Sequence, residues 1–208
     1  MSPRLSPLPD GFRATVAALH RIAEDVVAAE RKPENEIALE ATPGGFGTPE
    51  FEWEGSTHQI RVEGAELVRE VDGRQQRESL EVDTHAAEAL AGWHAFGADV
   101  LAQFAAEAGP DEVPSPPILW PEHFDIAIDL GSEAAGERAT YGASPGDDDH
   151  QEPYLYVSPW TREVSGELWS ASGFKGAELG YSELIAAEDQ RPAALDFMRE
   201  RHRALQEA

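Results

Sequence analysis

The segment from Trp120 to Leu130 constrains the fold more than any other stretch, because apolar and polar residues alternate along it. A period of two predicts a β-strand with one buried face and one polar face. The buried face would carry Phe124, Ile126, Ile128 and Leu130, and the polar face would carry His123, Asp125, Ala127 and Asp129. The sequence therefore predicts a half-buried strand that presents an imidazole and two carboxylates to whatever lies above it.

The rest of the chain mixes helical and strand periodicity. Apolar residues recur at helical spacing in residues 12–30, 84–108 and 195–205, with Asp10 and Asp83 or Thr84 as N-caps of the first two helices. Strand patterns occur in residues 37–41, 51–54, 58–63, 65–71, 138–143, 154–160, 169–174 and 177–181. These patterns predict one α+β domain over residues 1–208, with a largely antiparallel, twisted sheet packed by about three principal helices. The proline-rich segment 110–117 is interpreted as a spacer inside that domain, because neither side alone has enough elements for a core.

The charge balance excludes some partners. The chain has 40 acidic and 16 basic residues, which gives a net charge of −24. Nucleic acids and anionic membranes both attract basic surfaces, so we expect neither as a partner. The chain has no cysteine, and its first residues contain no apolar run typical of a signal peptide. We therefore expect a cytoplasmic protein without disulfides or thiolate chemistry.

Two glycine motifs in the sequence resemble functional loops, but their contexts argue against function. The segment 42–49 is rich in glycine but no Gly-Lys-Ser/Thr follows, so it is interpreted as a bend between strands rather than a phosphate loop. Gly142-Ala143-Ser144-Pro145-Gly146 matches the Gly-x-Ser-x-Gly pattern of hydrolase nucleophiles. However, Pro145 has no N–H to donate to an oxyanion, and an acidic loop follows instead of a helix. We expect Ser144 to lie in a turn and not to act as a nucleophile.

Aromatic residues indicate a binding surface near the central strand. Tyr154 and Tyr156 alternate with apolar residues and share a face with Trp160. If their strand joins the sheet, one sheet face combines these aromatics with His123 and Asp125, which are the candidate catalytic residues. The candidate ligand-binding residues are Trp120, Tyr141, Tyr154, Tyr156 and Trp160. We expect a small-molecule-binding protein or a metal-assisted enzyme. The alternative is a non-catalytic interaction or structural protein that uses the same aromatic face.

A divalent metal is a candidate cofactor, because nitrogen and oxygen ligands cluster in two places in the sequence. The candidate ligands are His123, Asp125, Asp129, Asp149 and His150. No recognised ligand spacing joins them, and aspartates also favour turns for local reasons. A solvated strand face followed by an acidic turn is therefore the competing interpretation.

Three short motifs resemble a family of uncharacterised bacterial proteins known only as a domain of unknown function. They are Leu119-Trp120 followed by His123-Phe124-Asp125-Ile126-Ala127, then Glu152-Pro153-Tyr154-Leu155-Tyr156, then Gly176-Ala177-Glu178-Leu179 with Tyr181. The resemblance implies no particular activity. The Phe-Asp pair is the more regular feature of that family, which weakens a catalytic role that rests on His123 alone.

Overall fold

The protein is described by a computed structural model, which covers residues 4–30 and 38–207. In these residues the fold is α+β, as the sequence predicts, with three helices of more than six residues and two antiparallel sheets. The helices are α1 (Phe12–Ile22), which continues as a π-helical segment (Ala23–Ala28), α2 (Thr84–Ala105), the short α3 (Tyr181–Ala186) and α4 (Gln190–Glu207). No helix in the described part of the chain is both long and apolar enough to cross a membrane.

The first half of the chain forms a six-stranded sheet. Its strands are β1 (Glu40–Thr42), β2 (Gly45–Gly47), β3 (Phe51–Trp53), β4 (Ser56–Glu63), β5 (Glu66–Val71) and β6 (Arg74–Ser79). The order is β1-β2-β4-β5-β6, and β3 pairs with β4. The sequence predicts the meander of β3 to β5 but not β2, which lies in the glycine-rich segment interpreted as a bend. It also misses β6, because every residue of that strand is exposed and polar or charged, and no apolar alternation marks it.

The second sheet has five strands and carries the region singled out by the sequence. Its strands are β7 (Ile118–Trp120), β8 (Asp125–Leu130), β9 (Ala139–Ser144), β10 (Tyr154–Pro159) and β11 (Ala177–Gly180). The order is β11-β10-β9-β8-β7, with every neighbouring pair antiparallel. A bridge between Leu39 and Leu119 joins this sheet to the first one.

One face of the five-stranded sheet forms the main core against α2 and α4. Trp93, Leu101 and Phe104 of α2 are buried there with Ile126 and Ile128 of β8. The helix approaches the sheet closely at a glycine: a Cβ added to Gly97 would lie 2.7 Å from the Cβ of Ala143. The other face of the sheet is left free of this packing, and the candidate site lies on it.

The central segment differs from its prediction at its start. A turn over residues 121–124 separates β7 from β8, so the predicted strand from Trp120 to Leu130 is two strands. His123 therefore lies in an exposed turn instead of on the strand beside Asp125. The turn closes at Phe124, which has a φ of 56° while its ring is buried. A left-handed conformation at an apolar residue costs about 1–2 kcal/mol and has no sequence signal.

Other boundaries also differ from the predictions. The first helix begins at Phe12 after Gly11 at φ 79°, and Asp10 is not its cap. The second begins as predicted, with the Asp83 side chain accepting a hydrogen bond from the N–H of Ala86. Residues 169–174 form an irregular loop and not the predicted strand. The predicted strand over residues 37–41 begins outside the described residues and is represented by β1.

Candidate functional site

A cavity of about 810 Å³ opens on the second face of the five-stranded sheet. We call this the polar-aromatic face, defined by the side chains of Asp125, Ser144, Tyr154 and Tyr156. Strand register brings these residues together, because Tyr154 pairs with Ser144 and Tyr156 pairs with Gly142. Gly142 pairs in turn with Ala127, two residues after Asp125, so alternate residues of three strands share one face. The volume is typical of a small-molecule pocket.

Tyr156 and Asp125 form the floor of the cavity. The hydroxyl of Tyr156, on β10, donates a short hydrogen bond to Oδ2 of Asp125, on β8. The intervening strand permits this contact because it has a glycine at that position. A Cβ added to Gly142 would lie 2.6 Å from the Tyr156 hydroxyl oxygen, so only glycine lets the ring cross β9.

Asp125 is a buried carboxylate whose hydrogen bonding is incomplete. Its relative exposure is 5%, and Oδ1 has no hydrogen-bond partner from another described residue. Burial raises the pKa of Asp125, although the Tyr156 hydrogen bond and the nearby His123 act in the opposite direction. Burial and the charge of Asp125 together raise the pKa of Tyr156 well above its ordinary value. The tyrosine therefore stays protonated and donates to Oδ2, while Oδ1 is buried without a partner from another described residue.

The acidic loop between β9 and β10 forms a second wall through Asp147. Its Oδ1 accepts hydrogen bonds from the backbone N–H groups of Asp149 and His150, both at 2.8 Å, and lies 2.9 Å from Nδ1 of His150. Its Oδ2 accepts from the hydroxyl of Tyr154 at 2.7 Å. Burial works to raise the pKa of Asp147, but these hydrogen bonds outweigh it and hold the pKa below its ordinary value.

His150 ties the same loop to the edge of the sheet. Its Nε2 lies 3.0 Å from Oε2 of Glu178 on β11, while Nδ1 contacts Asp147. Partial burial works to lower the pKa of His150, but the two carboxylates outweigh it and raise the pKa. With both ring nitrogens donating, the imidazolium holds the loop against β11.

The remaining walls come from elements far apart in sequence. Ser172, Gly173 and Phe174 belong to the irregular loop before β11, and His20 comes from α1. His20 stacks on Phe124 at 5.2 Å between ring centroids and an interplanar angle of 4°. The rim is exposed and acidic, whereas the floor is buried or half-buried.

A buried histidine supports the turn that precedes Asp125. Nε2 of His94, on α2, lies 3.2 Å from the carbonyl oxygen of Phe124, so this nitrogen carries the proton and donates. Burial lowers the pKa of His94 to about 4, against the smaller effect of that hydrogen bond. The neutral imidazole thus anchors the left-handed residue from which β8 enters the cavity floor.

The structure brings several of the predicted residues together. Asp125, Tyr154 and Tyr156 line the cavity, as do His123 at the exposed rim and the loop residues Asp149 and His150. The prediction that His123 and Asp125 share one face of a strand is wrong, because His123 lies in the turn before β8.

Four other predicted residues do not lie on the cavity. Tyr141 points to the opposite face of the sheet, where it is fully buried against Phe104. Asp129 lies about 13 Å along β8 from Asp125. Its Oδ1 accepts a hydrogen bond from the hydroxyl of Thr140 at 2.7 Å. Trp160 is 48% exposed and stacks on Arg138, and Trp120 is 36% exposed. None of these four is among the residues that line the cavity.

The arrangement does not match the predicted metal site. Among the described residues, no group of three or more His, Asp or Glu side chains is placed to hold a metal ion. Both ring nitrogens of His150 are engaged by carboxylates. Asp129 and Asp125 lie about 13 Å apart along β8, too far to share one ion. The described residues therefore do not support chemistry at a metal.

Sequence reasoning missed several contributors to the site. It placed Gly142 in a strand without a role in the site, and it expected Ser144 in a turn, whereas Ser144 is the last residue of β9. Phe174 falls in a segment that was assigned to a strand. His94 follows Trp93 in a helix, and a histidine beside a core tryptophan gives no signal of its distant partner, Phe124.

Comparison of the chain with models of protein families, with curated proteins and with solved structures found no match. The site must therefore be interpreted from its own chemistry. That chemistry comprises the incompletely paired carboxylate of Asp125 and three aromatic side chains, Tyr154, Tyr156 and Phe174, inside an acidic rim.

Proposed function

We propose that the protein binds a small molecule in the cavity of the polar-aromatic face, with Asp125 as the main polar contact. The observation that carries the proposal is the carboxylate of Asp125, which lines a cavity of about 810 Å³ while its buried Oδ1 lacks a partner from another described residue. A buried acceptor without a donor costs about 1–3 kcal/mol, and a bound ligand that donates a hydrogen bond would remove that cost.

The shape of the aromatic surface favours a ligand pocket over a flat interaction surface. Tyr154 is buried and Tyr156 is half-buried, and both face into the cavity. The exposed aromatics Trp120 and Trp160 lie outside the cavity and do not extend it. A surface built for a protein partner would present its aromatic side chains outward as a contiguous patch.

A fragment screen by protein-observed NMR tests the proposal. Neutral, anionic and cationic fragments are added to the full chain, and hits are mapped on assigned backbone amides. We expect hits that shift the amides of Asp125, Tyr154 and Tyr156 as one group. A screen with no hits in the cavity, or with hits confined to the exposed tryptophans, would show the proposal to be wrong.

A matched pair of glycine variants sharpens the test. Gly142→Ala forces the Tyr156 ring away from Asp125 and should weaken binding of each cavity hit at least about tenfold. Gly92→Ala changes a helical glycine whose added Cβ meets nothing within 4 Å, so it should leave binding unchanged. Tyr156→Phe serves as the second site variant, because it keeps the ring and removes only the donor to Asp125.

A further inference from the structure

The rim of the cavity carries an unusual concentration of negative charge. Four carboxylates line it besides Asp125, namely Glu122, Asp147, Asp148 and Asp149, and no lysine or arginine side chain is among its described lining residues. The guanidinium of Arg13 lies outside the cavity, where it donates to the backbone oxygen of Asp147 at 3.3 Å. The field in the cavity is therefore negative, and it is focused between low-dielectric walls.

An acidic rim alone does not define a ligand, but the floor adds an independent constraint. Asp125 is 5% exposed, lines the cavity and has one oxygen without a partner from another described residue. Its other oxygen already accepts from Tyr156. What Oδ1 lacks is a donor from another described residue, and an N–H of a cation is the strongest donor available to a buried carboxylate.

The aromatic side chains complete the recognition chemistry. Tyr154, Tyr156 and Phe174 enclose the space beside Asp125, with ring centroids of Tyr156 and Phe174 6.1 Å apart. Aromatic faces attract organic cations through their quadrupole and also pack on apolar carbon. A phosphate or carboxylate ligand would meet five carboxylates. The imidazolium of His150 also lines the cavity, but both of its ring nitrogens are already engaged by carboxylates, so anions are disfavoured.

We propose that the ligand of this cavity is an organic cation, an amine or amidine on an apolar or aromatic carbon frame, whose N–H groups donate to the carboxylate of Asp125. This inference rests on the proposed function and adds the ligand class to it. A bare divalent metal is the competing cation, but no described group of three His, Asp or Glu side chains is placed to hold one. The two tyrosine hydroxyls of the aromatic wall already donate to Asp147 and Asp125, so both phenols keep their protons.

The test compares probes that share a frame and differ in charge. Binding of 2-phenylethylamine, benzamidine, 2-phenylethanol and phenylacetate is measured by NMR titration of the full chain at pH 7, together with Ca²⁺. We expect at least one of the two cations to shift the signals of Asp125, Tyr154 and Tyr156 and to bind at least about tenfold more tightly than the alcohol. Phenylacetate and Ca²⁺ should produce no comparable shifts there.

Two variants separate specific binding from general attraction to an acidic protein. Asp125→Asn keeps the acceptor for Tyr156 and removes the charge, and it should weaken binding of the cation at least about tenfold. Asp111→Asn removes one exposed charge away from the cavity and should leave the affinity unchanged.

The outcomes distinguish the inference from the proposed function. The inference is wrong if the alcohol or phenylacetate binds the cavity as tightly as the cations, if Ca²⁺ binds there instead, or if Asp125→Asn binds the cations as well as the parent chain. It is also wrong if fragments of the earlier screen occupy the cavity and neither cation does. If neither these probes nor any fragment binds in the cavity, the proposed function fails as well.

Discussion

Tyr141 and Tyr156 lie on neighbouring strands of the five-stranded sheet, and their hydroxyls join two different hydrogen-bond networks on opposite faces of it. On the core side, the hydroxyl of Tyr141 lies 2.9 Å from Nδ1 of His202, and Nε2 of His202 lies 2.7 Å from Oε1 of Glu112. Glu112 also accepts from Gln206 at 2.7 Å. On the cavity side, Tyr156 donates to Asp125, and the chain of hydrogen bonds stops there with Oδ1 unpartnered among the described residues.

The difference distinguishes a buried polar network that supports the fold from one that could bind a ligand. The Tyr141 network closes on itself when Nε2 of His202 carries the proton, so each buried group has a partner and no ligand is needed. In the Tyr156 network, no other described residue donates to Oδ1 of Asp125. Buried polar groups in native proteins are rarely left without a partner.

The largest expected effect lies on the core side and depends on pH. The pKa of His94 is about 4 in the folded protein and 6.5 in a model peptide, so folding favours the neutral form. The contribution of neutral His94 to the free energy of unfolding is complete above pH 6.5, and it is lost as the pH falls from 6.5 towards 4. We expect His94 to account for a loss of about 3 kcal/mol in the free energy of unfolding.

Urea denaturation of His94→Gln and of the parent chain between pH 7 and pH 4.5 measures this contribution. The variant should depend less on pH, whereas His85→Gln, at an exposed position on the same helix, should follow the parent curve. Parallel curves for His94→Gln and the parent chain would contradict the assignment of His94 as a neutral anchor.

The second prediction removes a partner from the closed network. Tyr141→Phe leaves Nδ1 of His202 without its donor, so the free energy of unfolding should fall by about 1–3 kcal/mol. The change touches no residue that lines the cavity, so fragment binding should be unaffected. Urea denaturation and NMR titration of the same sample check both parts, and a loss of binding without loss of stability would reverse the assignment of the two faces.

The smallest effect has the opposite sign and lies on the cavity side. The pKa of Asp125 is raised by burial, so its ionised form is less stable in the folded than in the unfolded chain. The parent chain therefore loses stability relative to Asp125→Asn as the pH rises above the unfolded pKa of about 3.9. At pH 7 the variant should therefore be the more stable of the two, and the difference should shrink as the pH falls towards about 3.5.

Asp111→Asn is the control for that measurement, because the side chain of Asp111 is exposed. Its free energy of unfolding should match that of the parent chain across the pH range. A destabilised Asp125→Asn at pH 7 would mean that the carboxylate contributes to folding, and the contrast between the two faces would not hold.

Alternation predicted the parts of the site that lie in regular strands. It placed Tyr154 and Tyr156 on one face of a strand, and Asp125 on the polar face of another, because strand periodicity is local. It wrongly assigned Tyr141 to the ligand-binding face. A period of two shows which residues of a strand share a face, but it does not show which of the two faces packs against the core. It also missed the turn before Asp125, because an apolar residue such as Phe124 gives no sign of a positive φ.

The loop contacts were beyond sequence reasoning for a different reason. Asp147 meets Tyr154 seven residues away, and His150 meets Glu178 twenty-eight residues away. Such contacts depend on how the acidic loop folds over the sheet edge, which no spacing in the chain encodes. The sequence therefore indicated the face of the sheet that carries the candidate site, while the cavity on that face required the structure.

The most direct test of the account is the pKa of Asp125, measured from its ¹³Cγ chemical shift with and without 2-phenylethylamine. Without ligand, the pKa should lie above the ordinary value of about 3.9, because burial disfavours the charged form. With saturating amine it should fall, because a cation beside the carboxylate stabilises its charged form. A pKa at or below the ordinary value in the free protein, or one that saturating amine leaves unchanged, would contradict the claim that Asp125 is the carboxylate that binds a cationic ligand.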